Sequence, residues 1–318
     1  MAYSAGDTIL DDEYNTFVNS SSDPYGYNHF AGPGSGEYGL NQSTISTVNA
    51  GDTIAASNWN ALFTGLDNIA NHTNVSITAS SVSAGDTIAI RSALISDLAN
   101  LAAAVAGGST SATALDSPTA VGSSTNSGTW NGTSTIERSV TFANNATMRA
   151  FFNAGGFIRI DPSCITGIDG DKDTVFNDLT VTATGNLDLK AQSTTRSGSG
   201  ETLTTNGLSN GFHDLGTGYT VLLKLTSDNS GYTSNTVEYS AKLDAAVNSA
   251  TVLTIKMVST DAAADDTYTS PNTSGVPANP NEAPRMTLAL LASNPNDTQG
   301  LAADITSASN AEVSNSTS

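Results

Sequence analysis

The sequence predicts a mainly β fold: an antiparallel β-sandwich or barrel domain preceded by a small N-terminal region of short helices and ordered loops. Charged residues make up only 13% of the chain, and Ser, Thr, Asn and Gly are abundant, which favours twisted strands joined by turns over long exposed helices. A repeated pentapeptide precedes helical patterns near the N-terminus. After Trp130, short alternating or β-branched stretches are separated by turn residues, as in sandwiches and barrels.

The pentapeptide Ala-Gly-Asp-Thr-Ile occurs three times, at residues 5–9, 50–54 and 84–88. Its glycine permits a tight turn, and its isoleucine provides a short apolar anchor. A helix is predicted after each of the first two copies, with Asp12 and Ser57 as N-caps. Tyr14 and Trp59 fall at equivalent positions of these two helices. Each repeat is therefore predicted to be a turn followed by a helix.

The third copy continues into an Ala/Leu-rich segment that predicts a third helix. Ser92 is the predicted N-cap, and Gly107 with Gly108 is expected to end the helix. The apolar residues that recur on one stripe are Leu94, Leu98, Leu101 and Val105. Three short helices are thus expected to pack near the N-terminus.

The chain is predicted to comprise four regions. These are an N-terminal repeat region at residues 1–107, a Ser/Thr/Gly linker at 108–128, an antiparallel β domain at 129–270, and a Pro-rich segment with a candidate last strand and a polar tail at 271–318. The predicted strands are 136–142, 157–160, 179–189, 219–225, 237–243, 252–258 and 286–291.

Aromatic residues in the N-terminal region are the candidate assembly or interface residues. They are Tyr14, Trp59, Tyr25, Tyr27, Phe30 and Tyr38. The last four lie in a Gly/Tyr-rich loop, residues 25–42, which is predicted to be ordered by itself or by a partner. This loop is either a recognition surface or a surface that packs on a neighbouring subunit. The second is favoured, because aromatic residues are enriched at interfaces and the loop shows no apolar core of its own.

Charge restricts the partners and the location of the protein. Lys and Arg number 11 against 30 Asp and Glu, which gives a formal net charge of −19 and a pI near 4.1. Nucleic acid and anionic membranes are therefore not expected as partners. We expect no secretory signal and no membrane span, because the N-terminus lacks a basic region and no apolar run approaches about 18 residues. The product is expected to stay in the cytoplasm where it is made until assembly and lysis release it.

Local patterns for metal binding are weak. Residues 169–173 begin like a calcium loop, but Thr174 and Thr180 stand where an EF-hand needs glycine and a bidentate acid. A surface turn is favoured, and a calcium loop of another kind stays open. Asp261, with Asp265 and Asp266, is predicted to lie in a solvated loop. The three histidines, at positions 29, 72 and 213, lack the spacing of a helical metal site, so no metal is expected.

Local patterns for catalysis are also lacking, and the protein is expected not to be an enzyme. Cys164 is the single cysteine and is interpreted as a small core residue. The sequence contains neither a nucleophile elbow nor a phosphate-binding or dinucleotide-binding glycine pattern, so no cofactor is expected. A paired-carboxylate glycosidase leaves no local pattern and remains an alternative, although aromatic residues suited to stacking on sugars are few.

Three segments resemble a group of virion structural proteins of tailed marine phages, including phages of cyanobacteria. The first is the Ala-Gly-Asp-Thr-Ile repeat followed by Tyr14-Asn15 or Trp59-Asn60, with the loop at residues 36–39 between the copies. The second is Phe142 followed by residues 148–159, which contain Phe-Phe-Asn-Ala-Gly-Gly. The third and weakest is residues 211–215, leading to residues 239–242. The resemblance covers roughly residues 5 to 260 in order, whereas the third repeat and the chain beyond Ala262 have no counterpart in it.

The Phe-Phe-Asn-Ala-Gly-Gly segment is interpreted as a fold signature rather than a ligand site. Its residues are Phe151, Phe152, Asn153, Gly155 and Gly156. Thr147 or Asn145 is the predicted cap of a short helical turn, and the two phenylalanines supply core area. The asparagine and the glycines are predicted to take the positive φ values that reverse the chain.

The resemblance implies a structural component of the tail, either a tail fibre adaptor or a baseplate-associated protein. It also implies a homo-oligomer that contacts other virion proteins, with residues 1–107 docking to the virion. The alternatives are a head decoration protein, a module that binds a host-surface glycan or receptor, and a depolymerase.

Overall fold

A computed structural model gives the structure of the chain. It describes residues 11–83, 91–111, 113–126, 130, 132–165, 171–263, 285–296, 301 and 309–317. The chain forms two compact units. Unit 1 comprises the described residues within Met1–Ser117, Asn144–Gly156 and Ser293–Thr306, and unit 2 those within Pro118–Ala143, Phe157–Ala292 and Ser307–Ser318.

The helices are α1 (Asp11–Asn19), α2 (Tyr27–Phe30), α3 (Ala56–Thr73), α4 (Arg91–Ala106), α5 (Asn145–Asn153) and α6 (Asp171–Asn177). A π-helical segment, Asp178–Thr184, follows α6, and a short 3-10 turn spans Phe212–Asp214. The strands are β1 (Thr119–Thr125), β2 (Thr133–Thr141), β3 (Phe157–Ile165), β4 (Leu187–Leu189), β5 (Thr194–Arg196), β6 (Thr202–Asn206), β7 (Thr220–Thr226), β8 (Thr236–Leu243), β9 (Val252–Thr260), β10 (Arg285–Ser293) and β11 (Ser309–Thr317).

Unit 2 contains two antiparallel sheets, which confirms the predicted mainly β class. The first has the order β1-β10-β3-β4-β5 and the second the order β11-β2-β9-β8-β7-β6. The central strands alternate as predicted. In β9, for example, Ile255 and Met257 are buried while Lys256 between them is only half-buried. The helical share is larger than the sequence predicted, at 28% against 31% strand.

Two predicted boundaries in this unit are wrong. The segment interpreted as a linker, residues 108–128, contains β1, which pairs with β10. The segment interpreted as a polar tail ends in β11, which pairs with β2. Both strands are rich in Ser, Thr, Ala and Asn. Their edge positions explain the missed prediction, because an edge strand with polar faces shows no apolar alternation.

The strand predicted at residues 179–189 is also wrong. The chain there is π-helical through Thr184, and only Leu187–Leu189 is a strand. Thr180 and Thr184 donate from their hydroxyls to carbonyl oxygens within the same turn, at 2.6 and 2.7 Å. Leu179 and Ala183 are both buried, at a spacing typical of a helix. The β-branched threonines concealed this helical spacing from a prediction based on strand preference.

Unit 1 has its own apolar core, and its helices form where the repeats predict them. Helices α1, α3 and α4 supply most of this core, together with α2 and Leu40. The predicted caps differ, because Asp12, Ser57 and Ser92 all lie inside their helices. Helix α3 begins with Ala55 as N-cap, and the side chain of Asn58 accepts a hydrogen bond from the Ala55 N–H at 3.0 Å.

The predicted four-region division also needs correction for this unit. Helix α5 and the described residues within Ser293–Thr306 cluster with the N-terminal residues, not with the β domain. Residues 1–107 are therefore not a separable domain, because distant parts of the chain complete their unit.

The turn of the repeat is visible in the second copy, whereas residues 5–9 and 84–88 lie outside the described residues. Gly51 has a φ of 88°, in the left-handed region that favours glycine. The Asp52 carboxylate accepts a hydrogen bond from the Asn49 N–H at 3.1 Å. The predicted glycine turn is therefore confirmed for this copy.

Asparagine side chains hold the extended segments that connect the helices. The Asn15 amide donates to the Val48 carbonyl and accepts from the Val48 N–H, both at 2.9 Å. Asn60 makes the same pair of bonds with Val82, at 2.9 and 2.8 Å. Each asparagine therefore holds the valine that lies two residues before the next repeat. This contact explains why Tyr-Asn and Trp-Asn occupy equivalent positions in the first two repeats.

We expect Asn60→Ala to lower the free energy of unfolding of unit 1 by about 1 to 2 kcal/mol, because it removes two hydrogen bonds to one backbone position. The measurement is urea denaturation followed by Trp59 fluorescence in a Trp130→Phe background, which leaves one tryptophan, in unit 1. Asn71→Ala is the matched control on the same helix, since within the described part of the chain its exposed amide donates only to Asp67, at 3.3 Å. Equal effects of the two substitutions would contradict a specific role for Asn60.

Candidate functional site

Helix α5 carries the Phe-Phe-Asn-Ala-Gly-Gly segment and forms the candidate site. Its N-cap is Asn144, whose side chain accepts from the Thr147 N–H at 2.9 Å, so the predicted caps Thr147 and Asn145 are wrong. Phe151 and Phe152 are fully buried and pack edge to face, with ring centroids 4.9 Å apart. Their predicted role in the core is confirmed.

Arg149 extends from α5 to the Gly/Tyr loop. Its guanidinium donates to the carbonyl oxygens of Pro33, Gly34 and Tyr38 at 2.7, 3.1 and 2.9 Å, and its Nε donates to the Asn145 side chain at 3.0 Å. Arg149 is 6% exposed, and burial lowers its pKa. The planar guanidinium thus binds three backbone carbonyls of one loop at once.

Asn153 adds a second contact to the same loop. Its amide donates to the Gly39 carbonyl at 3.1 Å and to the Gly36 carbonyl at 3.4 Å. It remains helical, so the positive φ predicted for it is wrong; only Gly155, at 82°, takes such a value. Gly156 instead permits close packing, because a Cβ at this position would lie only 2.7 Å from the Phe151 ring.

The loop is closed by two glycines in close approach. Gly34 and Gly39 have φ values of 47° and 102°. A Cβ at Gly34 would lie 2.5 Å from the Gly39 nitrogen, and one at Gly39 would lie 2.5 Å from the Pro33 oxygen. Neither position accepts a larger residue without moving backbone. The order predicted for this loop therefore arises within the chain, from these glycines together with Arg149 and Asn153.

Most of the proposed interface aromatics are core residues. Tyr14, Trp59, Tyr27 and Phe30 are 0–5% exposed and belong to one apolar cluster. The Trp59 ring contacts the rings of Tyr14 and Phe63, with centroids 5.3 and 5.7 Å apart. The interpretation that these four side chains contact a neighbouring subunit directly is therefore corrected. The argument that the loop lacks an apolar core is wrong for the same reason.

Tyr25 and Tyr38 are the two proposed interface residues that stay partly exposed. Together with His29 they form what we call the aromatic cluster. The Tyr25 and His29 rings stack at 4.4 Å with an interplanar angle of 8°, and Tyr38 lies 4.8 Å from each. Burial raises the pKa of Tyr38, with smaller contributions from Tyr25, Glu37 and Asp23. At neutral pH the Tyr38 phenol is therefore protonated at the surface of unit 1.

His72 connects α3 to the end of the fold-signature segment. It is fully buried, its Nε2 lies 2.9 Å from the Ala154 carbonyl oxygen, and its Nδ1 has no hydrogen-bond partner among the described residues. A carbonyl only accepts, so Nε2 carries the proton. Burial lowers the pKa of His72, and the bond to Ala154 only partly opposes this. The ring is therefore neutral in the folded chain near pH 7.

We expect unit 1 to lose stability as the pH falls from about 7.5 to about 5, because unfolded histidine with a pKa near 6.5 binds a proton that folded His72 does not. Stability is complete above that pKa and declines below it. Thermal unfolding against pH measures this. His72→Gln retains a donor without titrating and should flatten the profile. The control is His29→Gln, because the pKa of His29 is also lowered but its ring is partly exposed. An unchanged profile in His72→Gln would refute the assignment.

Several residues predicted to be surface groups in unit 2 are buried. Asp169 and Gly170 lie outside the described residues, but Lys172 and Asp173 lie in α6 at 3% and 2% exposure, so a surface turn is wrong for them. Asp261 was predicted to be solvated, yet it is 4% exposed and its carboxylate pairs with Lys172.

Cys164 is half-buried next to Asp173 rather than enclosed in the core. Its thiol lies 3.9 Å from the Asp173 carbonyl oxygen. Burial and the charge of Asp173 raise its pKa to about 12. The thiol therefore stays protonated at neutral pH, which makes it a poor nucleophile.

Within the described ranges, no three His, Cys, Asp or Glu side chains form a group that could hold a metal ion. None of the described helices is long and apolar enough to cross a membrane.

Comparison with protein-family models, with curated proteins and with solved structures finds no match to this chain.

Sequence reasoning missed Arg149 and Gly65. Arg149 had a signal, because a cation stands between Met148 and Phe151 on an apolar helix of a strongly acidic chain. Gly65 lies inside α3, where a Cβ would be 2.6 Å from the Tyr27 ring. A glycine within a helical pattern suggests such close packing, but does not identify the partner.

Proposed function

We propose that this chain is a structural component of a tailed-phage virion, acting in the tail as a fibre adaptor or baseplate-associated protein. In this proposal it assembles as a homo-oligomer with other virion proteins, needs no cofactor and is not an enzyme. It is made in the host cytoplasm and functions in the virion. Nucleic acid and membranes are not among its proposed partners.

The observation that supports the proposal is the contact between α5 and the Gly/Tyr loop. Both segments are among those that resemble virion structural proteins, and they lie far apart in the sequence. Arg149 and Asn153 donate to four loop carbonyls, those of Pro33, Gly34, Tyr38 and Gly39, within 3.1 Å. The polar side chains of these segments thus stabilise the conformation of the loop. A segment with that role is expected in a protein whose function is structural.

The proposal is tested on purified particles of the phage that encodes the chain. Mass spectrometry should detect its peptides at a constant ratio to the major capsid protein, and immunogold labelling should place it on the tail. Label on the head would favour the head decoration alternative. Absence of the chain from purified particles would refute the structural role.

A second candidate function, binding of a host-surface glycan, is favoured by the aromatic cluster. Its rings are partly exposed, and the charges of Glu37 and Asp23 act on Tyr38. Aromatic faces next to carboxylate acceptors suit the apolar faces and hydroxyl groups of sugars. The test is binding of the purified chain to host envelope polysaccharide. Binding should fall at least about tenfold in Tyr38→Ala, as expected for the loss of roughly 1.4 kcal/mol, and stay unchanged in Tyr232→Ala, a substitution in unit 2.

A further inference from the structure

Lys172 and Asp261 form a buried pair in unit 2. Nζ of Lys172 lies 2.7 Å from Oδ2 of Asp261, and the two side chains are 3% and 0% exposed. Lys172 lies in the first turn of α6, and Asp261 directly follows β9. The two residues are 89 positions apart in the chain. The contact therefore joins the helix to the six-stranded sheet at a site without access to bulk water.

The segments that carry this pair also bring together two buried aromatic side chains, Phe176 and Trp130. Phe176 stands one turn after Lys172 on the same face of α6, and its ring contacts the Trp130 ring at a centroid distance of 5.2 Å. The Asp261 N–H donates to the Gly132 carbonyl at 2.8 Å, which places Asp261 next to the segment that carries Trp130. Oδ1 of Asp261 is buried and has no hydrogen-bond partner among the described residues.

A buried ion pair is stable only when the remaining oxygens and protons are also hydrogen-bonded, and among the described residues Oδ1 of Asp261 has no such partner. An amine attacks a carboxyl carbon through its nitrogen lone pair, so one proton must pass from Nζ of Lys172 to the carboxyl group before a bond can form. A nitrogen that touches one carboxyl oxygen is already close to the approach distance of about 3 to 3.5 Å to the carbon.

We propose that Lys172 and Asp261 condense to an intramolecular amide. A bond forms between Nζ of Lys172 and Cγ of Asp261, and one Cγ–O bond breaks. Of the three ammonium hydrogens, one stays on the amide nitrogen and two leave with the released oxygen as water. No electrons are gained or lost, and no co-reactant is required. The product is a covalent link across unit 2 in a chain whose single cysteine excludes an internal disulfide.

Intact mass spectrometry of the full-length folded chain, measured after denaturation, tests the proposal. We expect most molecules to be lighter than the sequence mass by one water. Trypsin should then fail to cleave after Lys172, and one branched peptide should join the segments that contain Lys172 and Asp261. The pair Lys224–Glu238, at 3.3 Å and partly exposed, is an internal control and should stay unlinked. A folded chain at full sequence mass would overturn the proposal.

The variant Lys172→Arg separates the amide from other losses of water, such as cyclisation at Asp169-Gly170. Arginine retains the positive charge but does not condense with a carboxyl group under these conditions. We expect this variant to have the full sequence mass and a circular dichroism spectrum like that of the original chain. The same loss of water in Lys172→Arg would overturn the proposal, whether or not the original chain shows it.

Discussion

Replacing Arg149 by Met is expected to lower the free energy of unfolding of unit 1 by about 2 to 4 kcal/mol, because up to three loop carbonyls lose their donor at once. Methionine retains much of the apolar volume, so the loss reports on the hydrogen bonds. Urea denaturation followed by Trp59 fluorescence measures the effect. The measurement is made in a Trp130→Phe background, which removes the tryptophan of unit 2 and leaves Trp59 in unit 1 as the fluorescent probe.

Two further variants make this prediction specific. Arg149→Lys retains the charge, but a compact ammonium cannot reach all three carbonyls, so an intermediate loss is expected. Asn71→Ala is the control within unit 1, because its exposed amide donates to Asp67 at 3.3 Å and its loss is expected to cost about 0.5 kcal/mol or less. If Arg149→Met were as mild as Asn71→Ala, the Gly/Tyr loop would not depend on α5.

Much of the β unit was predictable because its central strands have one buried face. Strands β2, β7, β8 and β9 all lie where alternation of apolar and polar residues placed them. The edge strands β1 and β11 were not found, since their polar side chains resemble those of a linker or tail. The segment Asp178–Thr184 shows the opposite error, because a strand was predicted where the chain is π-helical. Its threonines favour strands, while tertiary packing favours a helix.

The candidate site was predictable only in part. The sequence identified both contacting segments, because each contains glycines and aromatic residues in an unusual density. It did not show that they contact each other, since Arg149 and Tyr38 lie 111 residues apart. It also assigned the buried aromatics to an interface. Repeated aromatic residues on short helices indicate burial, but they do not distinguish burial within the chain from burial against a partner.

Replacing Trp59 by Ala is expected to have the largest effect on unit 1, a loss of about 3 to 5 kcal/mol, because a fully buried indole leaves a cavity that the surroundings only partly fill. Trp59 is 1% exposed and lies against Tyr14, Phe17 and Phe63. Hydrogen exchange in α1 and α3 measures the loss, since the substitution removes the fluorescent probe. Protection in β8 and β9 should change much less, because those strands belong to unit 2.

The partner substitution Trp130→Ala should reverse this pattern, lowering protection in unit 2 and sparing α1 and α3. The double variant Tyr14→Ala/Trp59→Ala tests whether the first two repeats depend on each other. The two rings meet edge to face at 5.3 Å with an interplanar angle of 78°, so we expect a coupling energy of about 0.5 to 1.5 kcal/mol beyond the burial of each ring. Strictly additive losses would mean that the equivalent positions of Tyr14 and Trp59 reflect only similar burial in two independent helices. Non-additive losses would show that the repeats stabilise each other through this ring contact, and that a partner protein is not needed to bury them.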